Sequence, residues 1–147
     1  MFVHQASVED IDQIAPLFDG YRQFYGKPSD QIAARTFLLE RFKNYQSVIF
    51  LANGDTGDPV GFTQLFPSFS SVSMARTFIL NDLFVATSAR RSGVASMLVD
   101  AAAKYARAVG AIRITLTTAI DNHSAKALYF SHGWKQDEAF HVLHLGL

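Results

Sequence analysis

The chain has 147 residues, close to the commonest size of a single domain, and 49% are hydrophobic with thirteen phenylalanines among them, so one packed domain spanning 1–147 is expected. Thirteen basic residues balance thirteen acidic ones, and a formal charge of zero offers no field to draw in a phosphate backbone or an anionic bilayer, which argues against nucleic-acid and membrane partners. Cysteine is absent, which excludes disulfides, a thiolate nucleophile and thiolate metal ligands; with no basic region ahead of an apolar run at the N-terminus and no stretch of about 18 apolar residues, a soluble, cytoplasmic protein is expected.

Phe2 to Gln5 reads as a short strand, and Ser7 caps a helix carrying Ile11, Ile14, Phe18 and Tyr21 at helical spacing. Pro16 is expected to kink that helix, and Gly26-Lys27-Pro28 ends it. Ser29 or Asp30 caps a second helix running to about Asn44, with Ile32, Thr36, Leu39 and Phe42 on one side. Ser47 to Ala52 and Val60 to Phe66 read as the two antiparallel strands of a hairpin, joined through the turn chemistry of Asn53-Gly54 and Asp58-Pro59. The serine-rich segment Ser68 to Ala75 lacks a period and is expected to form a loop over a substrate opening.

Thr77 to Val85 is a strong strand, and Val94, Met97, Leu98, Ala101, Ala102, Tyr105 and Val109 form a helical stripe that Gly110 stops. Ile112 to Ala119 reads as a strand, Ser124 to Ser131 as a short helix and Phe140 to Leu145 as a final strand. The layout is mixed α/β, or α+β. Its central hairpins favour antiparallel pairing, whereas the strand, helix, strand unit from Thr77 to Ala119 favours a parallel crossover. Neighbouring strands that must part there form a natural ligand site.

The segment Leu83-Phe84-Val85-Ala86-Thr87-Ser88-Ala89-Arg90-Arg91-Ser92-Gly93-Val94-Ala95 carries the strongest chemical signal, a strand passing through a short loop into a helix. The first amides of a helix have no internal partners and the macrodipole adds roughly half a positive charge, so the start of the Val94 helix, through Ser96, suits a pyrophosphate. Gly93 and Ala95 are small enough to let phosphate oxygens approach, and Arg90 and Arg91 add charge-assisted hydrogen bonds at the rim. The lysine followed by serine or threonine of nucleotide-hydrolase loops is missing, as are two of the three glycines of a dinucleotide fingerprint.

Arg90, Gly93 and Ala95 resemble the pyrophosphate loop of the GCN5-related N-acetyltransferases, which reads Gln or Arg, two residues, Gly, one residue, then Gly or Ala. That family often has glycine where this chain has Arg91, which implies a less close backbone approach there. A second stretch agrees with the resemblance: Asn122 and Tyr129 lie seven residues, or two helical turns, apart, and Gly133-Trp134 follows. Read alone, Asn122 is a helix cap and Tyr129 a core residue; the resemblance implies that the Asn122 amide touches coenzyme A and the Tyr129 phenol faces its sulfur. It further implies six to seven strands in a mainly antiparallel sheet flanked by about four helices, acetyl-coenzyme A as cosubstrate, and a homodimer. Leu80 to Val85 and the Phe24-Tyr25 region look most like the branch holding polyamine acetyltransferases and small fungal histone and D-amino-acid acetyltransferases.

An alkyl amine with a pKa near about 10 must lose a proton before it attacks a thioester. Backbone N–H groups of Leu83, Phe84 and Val85 are candidates to hold the thioester carbonyl, and Tyr129 to protonate the departing thiolate, with direct transfer to the amine. Polyamine acetyltransferases tend to carry a glutamate where Asn81 stands, and an amide takes no proton; strand alternation sends the adjacent Asp82 to the opposite face, where a structural role is at least as fitting, so a water chain is the favoured base. Tyr21, Phe24 and Tyr25 either wall an amine pocket or join the core. His141 and His144 face opposite ways in a strand, so no metal is expected. The leading expectation is acetylation of a small primary amine, polyamine-like or amino-acid-like. A protein lysine or N-terminal acceptor, and a non-catalytic acyl-coenzyme A module, are the alternatives.

Overall fold

A computed structural model describes residues 1–147 as two units, Met1–Thr117 and Thr118–Leu147. The first unit holds β1 (Phe2–Gln5), α1 (Ile11–Phe24), α2 (Gln31–Lys43), β2 (Val48–Asn53), β3 (Pro59–Ser70), β4 (Ala75–Val85), α3 (Val94–Ala108) and β5 (Ile114–Thr115). The strands form one sheet in the order β1-β2-β3-β4-β5, antiparallel except for the parallel β4–β5 pair.

Period-two alternation divides the sheet into two apolar faces. Ile49, Leu51 and Phe62 pack with Ile11, Ile14, Phe18 and Leu38 of α1 and α2. Phe50 and Ala52 point the other way and pack with Val94 and Leu98 of α3. Each fully buried side chain of the size of Phe62 or Leu98 contributes roughly 1.5–3 kcal/mol. Ser7 starts the first helical segment through a capping box: its hydroxyl accepts from the Glu9 amide at 3.3 Å while its own amide donates to Asp10 at 2.9 Å. Pro16 sits inside α1, which runs from Ile11 to Phe24. Asp30 caps α2 by accepting from the Ala33 amide at 3.0 Å.

The sequence placed several features differently. The buried stripe of α2 is Ala34 and Leu38, while Ile32 is 83% exposed, because the face turned to α1 and the core is the one that carries Ala34 and Leu38, four residues apart. Ser68 to Ala75 is half strand and half turn: β3 continues to Ser70, β4 begins at Ala75, and residues 71–74 turn between them. A ladder of hydrogen bonds sustains strand here although the sequence has no period. Five strands form rather than six to seven. Of the predicted strand Ile112 to Ala119 only Ile114 and Thr115 form a ladder, opposite Phe78 and Ile79; the Ile112 amide also donates to the Arg76 carbonyl at 2.9 Å, and beyond Thr115 the chain no longer pairs with β4.

The second unit contains α4 (His123–Ser131), which Asn122 caps and Gly133, at φ +87°, terminates. The predicted strand Phe140 to Leu145 is not a strand. Its alternating side chains find no strand to pair with, and alternation without a backbone partner does not make a sheet. No helix of the chain is long and apolar enough to cross a membrane.

Candidate functional site

A pocket of about 470 Å³ opens between α1, α2 and the β3–β4 ribbon. Helix α1 lends Phe18, Tyr21 and Arg22, and α2 lends Ala33, Ala34 and Phe37. The floor is Gln64 and Phe66 from β3 with Asn81 and Asp82 from β4. The pocket therefore has aromatic walls, a single carboxylate and a single guanidinium.

A β-bulge builds its polar corner. Gln64 pairs with Asp82 and Leu65 with Leu80, so Asn81 is the extra residue on β4. The bulge cancels the expected alternation: Asn81 and Asp82 both line the pocket, and the Asn81 amide donates to Asp82 at 2.8 Å. Gln64 donates to the second oxygen of Asp82, and Gln64 is itself fixed by the Ser47 hydroxyl, which donates to its side-chain oxygen at 2.6 Å. The single phenolic hydrogen of Tyr21 lies between two acceptors, the Asn81 carbonyl at 3.1 Å and the Asp82 carboxylate. Burial pushes the Asp82 carboxyl above the ordinary carboxylate range, and the hydrogen bonds from Asn81, Gln64 and Tyr21 offset only part of that rise. Two oxygens with two firm donors leave lone pairs for a cation.

The opposite electrostatics hold α2 in place. Asp19 of α1 is buried, yet it accepts from the Asp30 amide at 2.8 Å, the Ser29 hydroxyl at 2.7 Å and the Gln23 amide at 3.0 Å. The Asp30 amide does most to hold its carboxyl below the usual range, with Ser29, Gln23 and the charge of Arg22 adding to it against desolvation. Asp19 thus clamps the α1–α2 connection and so fixes the wall carrying Ala33, Ala34 and Phe37. Of the aromatic residues singled out from sequence, Tyr21 lines the pocket. Phe24 and Tyr25 do not: they are 62% and 60% exposed and touch each other edge to face. Gln64, Arg22 and Phe37 were missed because they lie on three separate elements and carry no motif.

The strand that carries Asp82 also has an open edge. Pairing with β5 stops at Ile79, so β4 from Leu80 to Val85 has a neighbour only in β3. The Ala86 amide donates to the Val60 carbonyl at 2.8 Å, and alternation then directs the Phe84 amide toward β3 and those of Leu83 and Val85 toward the open edge. Phe84 therefore leaves the set of backbone donors, and Leu83 and Val85 stay in it. Gly61 permits this geometry: a Cβ there would stand 2.9 Å from the Phe84 carbonyl oxygen and 3.1 Å from Val94 Cγ1.

The loop into α3 is exposed and shaped by its backbone. Arg90 donates from Nε to the Val85 carbonyl at 3.2 Å, and the Ser92 hydroxyl donates to the Ala89 carbonyl. Arg91 and Gly93 both have positive φ, 61° and 83°. Gly93 caps α3 without a side chain, a Cβ there would meet nothing within 4 Å, and the amides of Val94 and Ala95 make no backbone hydrogen bond. In the second unit the Asn122 side-chain oxygen accepts from the Ala125 amide at 3.3 Å, capping α4. Tyr129 is buried, with its ring 5.5 Å from that of Trp134.

Residues 14–134 match the family model described as Acetyltransferase (GNAT) family. The chain is 46% identical over 140 residues to the Uncharacterized N-acetyltransferase YhfO of Bacillus subtilis (strain 168), covering 95% of this chain and 93% of that protein. It is 29% identical over 87 residues to the D-amino-acid N-acetyltransferase HPA3 of Saccharomyces cerevisiae, covering 59% of this chain and 54% of that one. A solved structure described as that of a probable acetyltransferase superposes with a TM-score of 0.95 at 42% identity, covering 100% of this chain and 98% of the other.

Proposed function

Because the chain belongs to the acetyltransferase (GNAT) family and is an acyltransferase, we propose that it moves an acetyl group from acetyl-coenzyme A directly to a small primary amine held in the pocket between α1, α2, β3 and β4. The observation that carries this reading is Asp82, a buried carboxylate with spare lone pairs and a raised pKa on the pocket floor.

The residues at the α3 entry fit the cosubstrate. Gly93 leaves room and two unpartnered amides for a pyrophosphate, Arg90 and Arg91 supply positive charge beside it, and the free edge of β4 offers the amides of Leu83 and Val85 to an extended amide-bearing arm. Asn122 and Tyr129 complete the assignment by the family resemblance alone. Acetyl-coenzyme A supplies the acetyl group as a thioester.

Asp82 receives the first proton of the ammonium and keeps the amine over the pocket floor. The nitrogen lone pair then forms the C–N bond while the C–S bond breaks; Tyr129 gives its proton to the leaving thiolate and regains one as the nitrogen sheds its second, and the proton on Asp82 passes to solvent, so one proton is released overall. A carboxylate with a raised pKa is the better acceptor, which replaces the water chain that the sequence favoured. The D-amino acid in the name of the yeast relative agrees with a small acceptor. Coenzyme A release over a panel of primary amines tests the reading: wild-type turnover that Asp82→Asn abolishes supports it, and equal turnover by the two proteins removes Asp82 from it. Acetylation confined to peptide lysines would favour a protein acceptor instead.

A further inference from the structure

Resting on that acceptor reading, the charges and rings of the pocket point, we propose, to a zwitterionic acceptor with one amine and an apolar body: a hydrophobic amino acid, with its ammonium at Asp82 and its carboxylate toward Arg22. The charge inventory decides this. A polyamine carries two or more ammonium groups, yet Asp82 is the only carboxylate in the lining, and the only other ionic group there, Arg22, would repel a second ammonium. The Arg22 guanidinium is half-buried in the lining and forms no side-chain hydrogen bond or close ion pair, its charge being felt by Asp19, so its N–H donors can serve an anion.

The two charges are also kept apart. Arg22 and Asp82 both line the pocket, yet no salt bridge joins them. The guanidinium and the pocket carboxylate are therefore separate stations rather than an ion pair, and a ligand bearing both signs can serve both. The same lining carries Phe18, Tyr21, Phe37 and Phe66. Rings in such number favour an apolar or aromatic body over a hydrated polar one, and the Tyr21 ring can face the ammonium as well.

Steady-state acetylation of phenylalanine and leucine, both enantiomers, against phenethylamine and spermidine tests the inference, with calorimetric binding of the same compounds as a second readout. Phenylalanine is expected to exceed spermidine in kcat/KM. Arg22→Gln should raise KM for phenylalanine roughly 10- to 100-fold, the scale of one charge-assisted hydrogen bond, and leave phenethylamine unchanged. Arg22→Lys should recover part of the loss and controls for folding. A preference for spermidine, failure of every amino acid to bind, or an equal effect of Arg22→Gln on phenylalanine and phenethylamine would overturn the inference. If Arg22→Gln does nothing while Asp82→Asn still stops amine turnover, the zwitterion falls and the acceptor pocket stands. If Asp82→Asn changes nothing either, the pocket reading falls with it.

Discussion

The pocket proposed for the acceptor and the loop into α3 are three residues apart along β4, yet they are held by opposite means. In the pocket, Asp82 and Gln64 are buried and joined by side-chain hydrogen bonds that reach back to Ser47. In the loop, Arg90 to Gly93 are largely exposed, two of them have positive φ, and the helix behind them begins with uncapped amides. A pocket that must hold and deprotonate a cation needs a carboxylate fixed and partly stripped of water. A loop that must hold an anion needs unmet donors and empty space, which no packed side chain supplies. Damage to the first should appear in turnover and titration, and damage to the second in cosubstrate binding and backbone strain.

The sharpest break is Asp82→Asn. We expect kcat to fall roughly 10²- to 10⁴-fold, the range for a lost positioned base, while the melting temperature rises. The rise follows from linkage. With the folded pKa of Asp82 above its unfolded value, the native state binds the extra proton between the two, so stability is greater below that window and falls as pH climbs through it. At neutral pH the charged carboxylate is a net cost that the amide removes. Asparagine can accept from Gln64 and donate to a rotated Asn81, so the pocket keeps its bonds. By the same sign, wild-type kcat/KM should fall on acidification at a pH above the ordinary carboxylate range. Loss of activity together with a lower melting temperature would make Asp82 a structural carboxylate.

Next in size is Tyr129→Phe, expected to lower kcat by roughly 10²-fold with little change in cosubstrate affinity, since only a hydroxyl is removed. Unchanged turnover would return Tyr129 to a core role beside Trp134. On the loop side, Gly93→Val should reduce acetyl-coenzyme A affinity at least about tenfold by calorimetry. A Cβ there has free space in the chain itself, so a packing clash is not the cause. The left-handed backbone costs roughly 1–2 kcal/mol for a residue with a Cβ, and the side chain fills the space before the Val94 amide.

These two sites were legible to different degrees. The loop is contiguous, so Arg90, Gly93 and Ala95 stood out from a single stretch of sequence. The pocket joins residues from α1, α2, β3 and β4, and only the fold brings Arg22, Phe37 and Gln64 together. The bulge at Asn81 was invisible because alternation assumes a regular ladder, and its effect is to turn two neighbours to one side. Helices α1 and α3 followed their apolar spacing. Helix α2 did not, since Ala34 and Leu38 define its buried face and a small alanine is a weak signal. The strand predicted at Phe140 to Leu145 had the right alternation and no strand to pair with.

A smaller effect separates the two buried carboxylates of α1 and β4. Asp19 has a depressed pKa, so its contribution is fully present above the ordinary value of about 3.9 and is lost as pH falls through the lowered one, the reverse of Asp82. Asp19→Ala should lower stability by about 1–3 kcal/mol at neutral pH in denaturant titration, leaving the Asp30 amide without its partner, and should flatten the acid side of the stability profile. An unchanged profile would show that the α1–α2 connection is held without the carboxylate.

The smallest expected effect tests why the family so often has glycine where this chain has Arg91. Its φ of 61° places it in the left-handed region, which a residue with a Cβ enters at roughly 1–2 kcal/mol. Replacement by glycine removes that strain but adds about 0.5–1 kcal/mol of unfolded-chain entropy, so the net gain in stability should be about 1 kcal/mol or less. The guanidinium is lost as well, which confounds cosubstrate affinity, and Arg91→Ala supplies the control because it loses the same charge and keeps the strain. Arg91→Gly should therefore melt higher than Arg91→Ala, and any tighter coenzyme A binding by the glycine variant over the alanine one measures the closer backbone approach. Identical melting of the two would mean that the loop relaxes away from positive φ at no cost. The exposed loop would then owe its shape to Gly93 alone.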